Sequence, residues 1–416
     1  MFYKFDYYLL MSSKKSVHRR KIIKQLYFAP TQSCASLSLA IKKSLPLTTR
    51  ILNELLEAGF VTEIGPAPST GGRRPIMYSL KQDVFYIVCV AMDQFVTRIA
   101  IMDMSNSFVT EVEEIELPLP GNTEALSVLS QSIETVIKNS GISKEKFGGI
   151  GIGMPGFVDV KKGINYSFLP TNTSSITEYI GHKTGLPTFI DNDSSLIALA
   201  ELRFGAARRR KNAMVINIGW GIGLGMILNG ELYRGHNGFA GELSHIPIFY
   251  NGKLCSCGKT GCLETETSLL VIIQKAREGL ASGRLSKLIP SHLEHYEQAS
   301  ESIVSAVLEG DRFAIELFSD AGYSIGRGVA ILIHILNPEV IILSGRGSTA
   351  GKIWQPPIQQ ALNEHSIPRL AANTSIETST LGHRAELIGA ATLVMEHYDK
   401  ESWTLNPGKE GMVSVH

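Results

Sequence analysis

At 416 residues, with 44% hydrophobic and 19% charged side chains, the chain is too long for one hydrophobic core and too ordinary in composition for a disordered or fibrous protein, so two or three globular domains are expected. The net charge of +1 hides a division, because residues 1–82 hold 13 Lys and Arg against four Asp and Glu (+9), which leaves 27 against 35 (−8) for the rest. That asymmetry points to a polyanion partner for the N-terminal segment alone, and no apolar run approaches the ~18–20 residues that cross a bilayer, which excludes a membrane helix.

The opening MFYKFDYYLLM is apolar and aromatic but is interrupted by Lys4 and Asp6 and has no small-residue cleavage site, so residues 1–14 read as an N-terminal arm. Residues 15–82 read as a DNA-binding domain. In SVHRRKIIKQLYF, Ile22, Ile23 and Leu26 share one helical face, with the basic residues turned away. Ser33 or Ser36 can cap a second helix, SLSLAIKKS, and Pro46 can begin a third, PLTTRILNELLEAGF, with Ile51, Leu52, Leu55 and Leu56 as its apolar stripe and Gly59 as its stop. Two short helices joined by a tight turn match a helix-turn-helix, in which Thr48, Thr49, Arg50 and Asn53 are expected on the exposed side of the second helix as DNA contacts. The segment FVTEIGPAPSTGGRRPIMYSL reads as a β-hairpin wing whose tip carries Arg73 and Arg74, suited to the negative potential of a narrow minor groove. Each feature alone fits a solvated basic surface; charge, helix order and wing together favour double-stranded DNA.

Beyond Gln82 the pattern becomes α/β: VFYIVCVAMD and VTRIAIMDM as strands, a helix over Glu124–Ser140, then strands at GGIGIGMPGFVD, LPTFIDND, AMVINIG and EVIILSG, with two long helices between Ile303 and Leu336. The strand-then-glycine pattern occurs early and late, as in a two-lobed body of duplicated units with a ligand cleft between the lobes. The body is placed at 83–398, and residues 399–416 read as a flexible tail.

Three stretches of the body carry chemistry. Asp191-Asn192-Asp193 follows an apolar strand, where α/β folds place reactive side chains; Asp193 suits a base toward a sugar hydroxyl and Asn192 a hydroxyl contact, although the residues by themselves favour a turn rich in Asx. The glycine run Gly219-Trp220-Gly221-Ile222-Gly223-Leu224-Gly225 could line an anion or simply form a tight hairpin. In the loop 241–264, His245, Cys255, Cys257 and Cys262 are spaced H-x9-C-x-C-x4-C, a full tetrahedral set for zinc that leaves no position for an activated water, so the metal reads as structural. Five cysteines in all, three of them in this loop, fit a reducing cytoplasm rather than a disulfide framework. Glu242 and Glu264 flank the cluster, either as acceptors for vicinal sugar hydroxyls or as plain surface carboxylates.

Taken together, GExxH, CxCGxxGCLE, the strand ending in Asp-Asn-Asp and NPEVIILSG make the chain resemble the ROK family of repressors, open reading frames and kinases, over about Lys15 to Tyr398. The resemblance implies a winged helix-turn-helix followed by a two-lobed actin-like (ribonuclease-H-like) sugar-kinase fold. It also implies a structural zinc on His245, Cys255, Cys257 and Cys262, and a sugar pocket formed by Asn192, Asp193, Glu242, His245 and Glu264, with His245 serving both. Kinases of the family lack the basic head; this chain resembles the branch of the N-acetylglucosamine and xylose repressors, which has it. The first phosphate turn of the kinases resembles Asp-x-Gly-Gly-Thr, whereas this chain has Asp93-Gln94-Phe95-Val96-Thr97, and Arg346 stands where a later glycine is expected. Side chains at Phe95 and Val96 keep backbone amides away from phosphates, so kinase activity is not expected. The expectation is a sugar-released repressor of carbohydrate genes, acting as a homodimer or homotetramer on a pseudo-palindromic operator. A sugar kinase with a fused head is the alternative, and a protein of a sugar-transport system is a further candidate partner.

Overall fold

The computed structural model describes residues 16–68, 74–169 and 175–400. The N-terminal arm, the wing tip with Arg73 and the tail from 401 lie outside the described residues. The chain divides into two compact units, residues 1–192 with 387–416, and residues 193–386.

The first unit begins with α1 (Ser16–Phe28), β1 (Gln32–Ser33), α2 (Cys34–Ala40), α3 (Leu45–Glu57), β2 (Val61–Pro66) and β3 (Ile76–Leu80). The three strands form one antiparallel sheet in the order β1-β3-β2. Local chemistry sets these boundaries. The Ser33 hydroxyl accepts the Ser36 amide at 3.1 Å and caps α2, and Pro46 sits in the first turn of α3, where its missing N–H costs nothing. Ile22, Ile23, Leu26, Leu37, Ile51, Leu52 and Leu55 are buried and form the small core of this segment.

The remainder of the unit is a five-stranded sheet built from β4 (Tyr86–Met92), β5 (Val96–Met102), β6 (Glu113–Glu116), β7 (Phe147–Met154) and β10 (Thr188–Asn192). Between these strands lie α4 (Ala125–Asn139), the hairpin β8 (Val158–Asp159) and β9 (Ile164–Asn165), and α5 (Ile176–Thr184). The order is β10-β7-β4-β5-β6, with β4, β7 and β10 parallel and β5 and β6 antiparallel. β7 is buried along its whole length, which its unbroken apolar and glycine composition permits.

The second unit holds α6 (Asp193–Phe204), β11 (Ala213–Ile218), β12 (Ile222–Leu228), β13 (Glu231–Tyr233), α7 (Glu264–Thr267), α8 (Leu269–Ala281), α9 (Tyr296–Leu308), α10 (Arg312–Leu336), β14 (Val340–Ser344), α11 (Gln355–His365), α12 (Pro368–Ala371) and β15 (Ser375–Thr378). Its sheet, β13-β12-β11-β14-β15, repeats the first sheet in order and polarity, an antiparallel three-strand meander continued by two parallel strands. The duplication expected from the repeated strand-then-glycine pattern is therefore present at the level of topology.

The last helix, α13 (Ala385–His397), starts in the second unit's sequence and finishes in the first unit. It lies directly on β7, where a Cβ at Gly151 would stand 2.0 Å from the Ala390 carbonyl. Beyond it, Tyr398 stacks on Phe85 with ring centroids 5.2 Å apart. The same region holds the basic head. Lys24 of α1 donates to the Glu396 carbonyl at 2.9 Å and pairs with the Glu396 and Asp399 carboxylates at 3.0 Å each. The buried Tyr27 hydroxyl donates to Asn106. Among the described residues no helix is long and apolar enough to cross a membrane.

Candidate functional site

The junction of β10 and α6 carries the Asp-Asn-Asp segment. Asp191 is buried, and its carboxylate accepts the Asn192 amide at 2.9 Å; the Asn192 side chain donates to the Gly156 carbonyl at 3.1 Å. Asp193 opens α6. Its Oδ1 accepts the Ser194 amide at 2.7 Å and the Ser194 hydroxyl at 3.2 Å, and its Oδ2 accepts the Asn217 side-chain amide at 3.3 Å. Both local backbone bonds go to the next residue's amide, one short of the two-residue reach of an Asx turn, and the bond to Asn217 crosses to the neighbouring strand β11. Asn217 and Ser194 went unmarked in the sequence; the available signal was a lone amide inside the apolar run AMVINI.

The glycine run forms the tight β11–β12 hairpin, with Ile218 paired to Ile222 and the Gly219 amide bonded to the Gly221 carbonyl at 2.9 Å. None of its four glycines has a positive φ. Two of them are required for close packing: a Cβ at Gly223 would meet Ser194 Oγ at 1.9 Å, and one at Gly225 would meet Ala198 Cβ at 2.3 Å. Gly221 faces Glu264, whose Oε2 would be 3.2 Å from an added Cβ. The turn end of the hairpin thus carries Asn217 on β11 and faces Glu264 at Gly221.

In the 241–264 loop, Phe249 and Gly261 pair through their backbones, and Gly261 takes φ 78° where a Cβ would strike the Phe249 carbonyl at 2.1 Å. This turn gathers His245, Cys255, Cys257 and Cys262, with all four ligand atoms within 4.8 Å of one another. His245 Nδ1 lies 3.5 Å from Cys255 Sγ, and the sulfurs of Cys257 and Cys262 are 3.6 Å apart. The cluster is able to hold a metal ion. Burial pushes the Cys262 thiol up to about 12, whereas the Lys259 amide draws the exposed Cys257 thiol down.

The two glutamates meet this cluster from opposite sides of one imidazole. Glu242 Oε2 is 3.8 Å from His245 Nε2, and Glu264 Oε1 is 3.8 Å from His245 Nδ1 and 3.2 Å from Cys255 Sγ. Burial raises the Glu242 carboxyl above its ordinary range; the neighbouring Glu264 charge adds to this, and His245 opposes it. Of the five residues expected to contact sugar, Glu242, His245 and Glu264 are drawn together, while Asp193 reaches the same hairpin through Asn217.

The head departs from the sequence expectation at one position. Thr48 was expected on the exposed side of α3 as a DNA contact; it is fully buried, donates to the Ser44 carbonyl at 3.0 Å, and lies in line with Leu52 and Leu55, four and seven residues on. Thr49, Arg50 and Asn53 are exposed, as is Arg74. Arg50 lies 3.8 Å from Glu54, its neighbour one turn along.

The two turns that the sequence likened to kinase phosphate turns are held by contacts within the protein. Between β4 and β5, Asp93 Oδ1 accepts the Phe95 and Val96 amides at 2.8 Å each. After β14, the Arg346 guanidinium lies 4.7 Å from the centre of the Trp220 ring and pairs with Glu297.

A sequence model described as the ROK family matches residues 88–397. The chain belongs to the ROK family. Among its ROK relatives, the xylose repressor of Caldicellulosiruptor bescii is 28% identical over 92% of this chain and 96% of the repressor. The glucokinase of Halalkalibacterium halodurans is 35% identical over 61% of this chain and 78% of the enzyme. A crystal structure of a ROK family transcriptional regulator, a homolog of the E. coli MLC protein, is 26% identical, covers 92% of this chain and 97% of its own, and superposes with a TM-score of 0.74. The α/β body is accordingly the two-lobed, actin-like ROK fold, and of these relatives the two that match nearly the whole chain are a repressor and a transcriptional regulator.

Proposed function

We propose that the protein is a sugar-responsive transcriptional repressor that holds operator DNA through its basic head and leaves it when a sugar binds the ROK body. The observation that carries this reading is the extent of the repressor match: 397 residues, long enough to take in the head, against 257 for the glucokinase, which is shorter than the body by itself. Residues 15–82 form the DNA-binding domain and residues 83–398 the sensing body. Thr49, Arg50, Asn53 and the wing arginines Arg73 and Arg74 contact DNA, the last two in the minor groove. Two such heads on a homodimer or homotetramer fit a pseudo-palindromic site.

The sugar is held by Asn192, Asp193, Glu242, His245 and Glu264. Ionised carboxylates are acceptors only, and each oxygen can take hydrogen bonds from vicinal hydroxyls, the pattern that distinguishes a sugar from water. The donor set of the adjoining cluster fits zinc: tetrahedral Zn–S bonds of ~2.3 Å place sulfurs about 3.8 Å apart, and Cys257 and Cys262 stand 3.6 Å apart. Zinc there supplies a cross-link that stiffens the loop bearing both glutamates. His245, Cys255, Cys257 and Cys262 fill all four positions, so the role is structural.

A sugar kinase with a fused head is the alternative, favoured by the hydrogen-bonded Asp193 at a strand's carboxyl end. Against it, Asp93 already accepts the Phe95 and Val96 amides in the turn that resembles the first phosphate turn, and Arg346 of the later turn lies over the Trp220 ring. A thermal-shift screen of the full chain against pentoses, hexoses, N-acetylated sugars and magnesium ATP separates the readings. One sugar is expected to raise the melting temperature and to lower affinity for operator DNA, with no response to ATP. A shift with ATP together with sugar-dependent ADP release would establish the kinase, and silence from every sugar would point to a protein partner.

A further inference from the structure

Asn217 sits at the end of β11 with about 9% of its surface exposed. Its side-chain amide donates to Asp193 Oδ2 at 3.3 Å and to Ser194 Oγ at 3.1 Å. Two glycines make the room for this arrangement. A Cβ at Gly345, where φ is 78°, would stand 2.1 Å from Asn217 Oδ1, and a Cβ at Gly223 would stand 1.9 Å from Ser194 Oγ. The two polar side chains are thus fixed from both sides against one carboxylate.

Asp193 is the first residue of α6, and a carboxylate there faces a strong local competitor. The first amides of a helix have no intrahelical acceptor, and an aspartate at that end readily turns to satisfy them. Oδ1 does so, taking the Ser194 amide at 2.7 Å. The terminal torsion of aspartate is broad, so packing leaves the carboxylate plane weakly set. An amide donor from another strand, holding Oδ2, sets it.

We infer that Asn217 is the positioning residue for sugar recognition by Asp193: it orients the carboxylate toward the ligand hydroxyls and keeps the second oxygen from collapsing onto the helix. This rests on the sugar-binding reading of the site. It also gives the glycine run a role without a nucleotide, since Gly223 admits Ser194 to the same network.

The test is the affinity of the full chain for whichever sugar stabilises it, measured by calorimetry in the wild type, Asn217→Ala, Asp193→Asn and the double variant. Asn217→Ala is expected to weaken binding ~10-fold, the size of one lost hydrogen bond to a charged group. Because a positioning residue acts only through its target, the same substitution in the Asp193→Asn background is expected to change affinity less than about 2-fold. Asn217→Ser, with a donor on a shorter stem, is expected to recover part of the loss; the nearly isosteric, uncharged Asn217→Leu removes the donor without opening a cavity and serves if the alanine variant does not fold. An equal loss in both backgrounds would place Asn217 in the fold rather than in recognition, and an unchanged affinity in the single variants would remove it from the site; either result overturns the inference. A wild type that binds no sugar brings down the sugar reading itself and this inference with it, a failure visible before any substitution is made.

Discussion

Glu242 and Glu264 approach His245 from its two ring nitrogens at 3.8 Å each. One imidazole therefore joins the candidate metal cluster to both candidate sugar carboxylates, and losses on either side should be separable. Glu242→Gln or Glu264→Gln is expected to weaken sugar binding ~10- to 100-fold, the range for hydrogen bonds to a charged acceptor, while bound zinc stays near one per chain. Cys257→Ser is expected to lose the metal and, through the loosened loop, the sugar response. Zinc content measured beside calorimetry checks both, and a zinc-free Cys257→Ser protein that still responds to sugar would break the link. In the head, Arg50 has its side chain 69% exposed. If it neutralises one DNA phosphate, Arg50→Ala should reduce the slope of log affinity against log salt by ~0.9. Buried Thr48 belongs to a different class: Thr48→Ala should lower stability and leave that slope alone.

At the scale of elements, the long helix α10 shows how one side chain secures a boundary. Asp311 caps it, accepting the Ala314 amide at 2.8 Å, and also accepts the Lys287 amide and the Ser286 hydroxyl at 2.7 and 3.0 Å. Burial alone would raise this carboxyl, but the hydrogen bonds from Ala314, Lys287 and Ser286 outweigh it and hold it below the ordinary range. With the folded value lowered, the stabilisation is present above the unfolded carboxylate range and is lost as pH falls through the folded value. Asp311→Ala is expected to cost ~1–2 kcal/mol near neutral pH, with the difference from wild type shrinking in acid. Denaturant midpoints at pH 7 and pH 3 test this; a pH-independent difference would mean that packing rather than the charged cap is responsible. Elsewhere the element level explains what composition left open. Gly223 and Gly225 are spaced to let β12 lie on α6, so the glycine run forms the tight hairpin that its composition allowed.

Across the whole molecule, α13 is the continuous piece of chain that begins in the second unit's sequence and ends against α1 of the head. The clamp at that end is Lys24 with Glu396 and Asp399, whose side chains are only 15–22% exposed. If sugar and DNA communicate by favouring different global states, this clamp lies on the path between body and head. Lys24→Ala is expected to leave sugar affinity unchanged while shrinking several-fold the drop in DNA affinity that sugar produces. Anisotropy titrations of operator DNA with and without sugar measure that ratio; an unaltered ratio would place the coupling elsewhere.

Much of the architecture was legible because it depends on neighbours in sequence. Unbroken apolar runs declare buried strands, serine and proline mark helix starts, and a histidine and three cysteines within eighteen residues mark a set of side chains able to hold a metal. The charge division between head and body likewise required no structure. What only the tertiary structure decided are contacts between distant positions: Thr48 turned into the core, Asn217 holding Asp193 across 24 residues, and Lys24 meeting Asp399 across 375. Helical periodicity narrows a face to within a residue or so but does not choose its edges, since packing partners do. A hydrogen bond between strands or domains is set by register and topology, and no local pattern of residues encodes either.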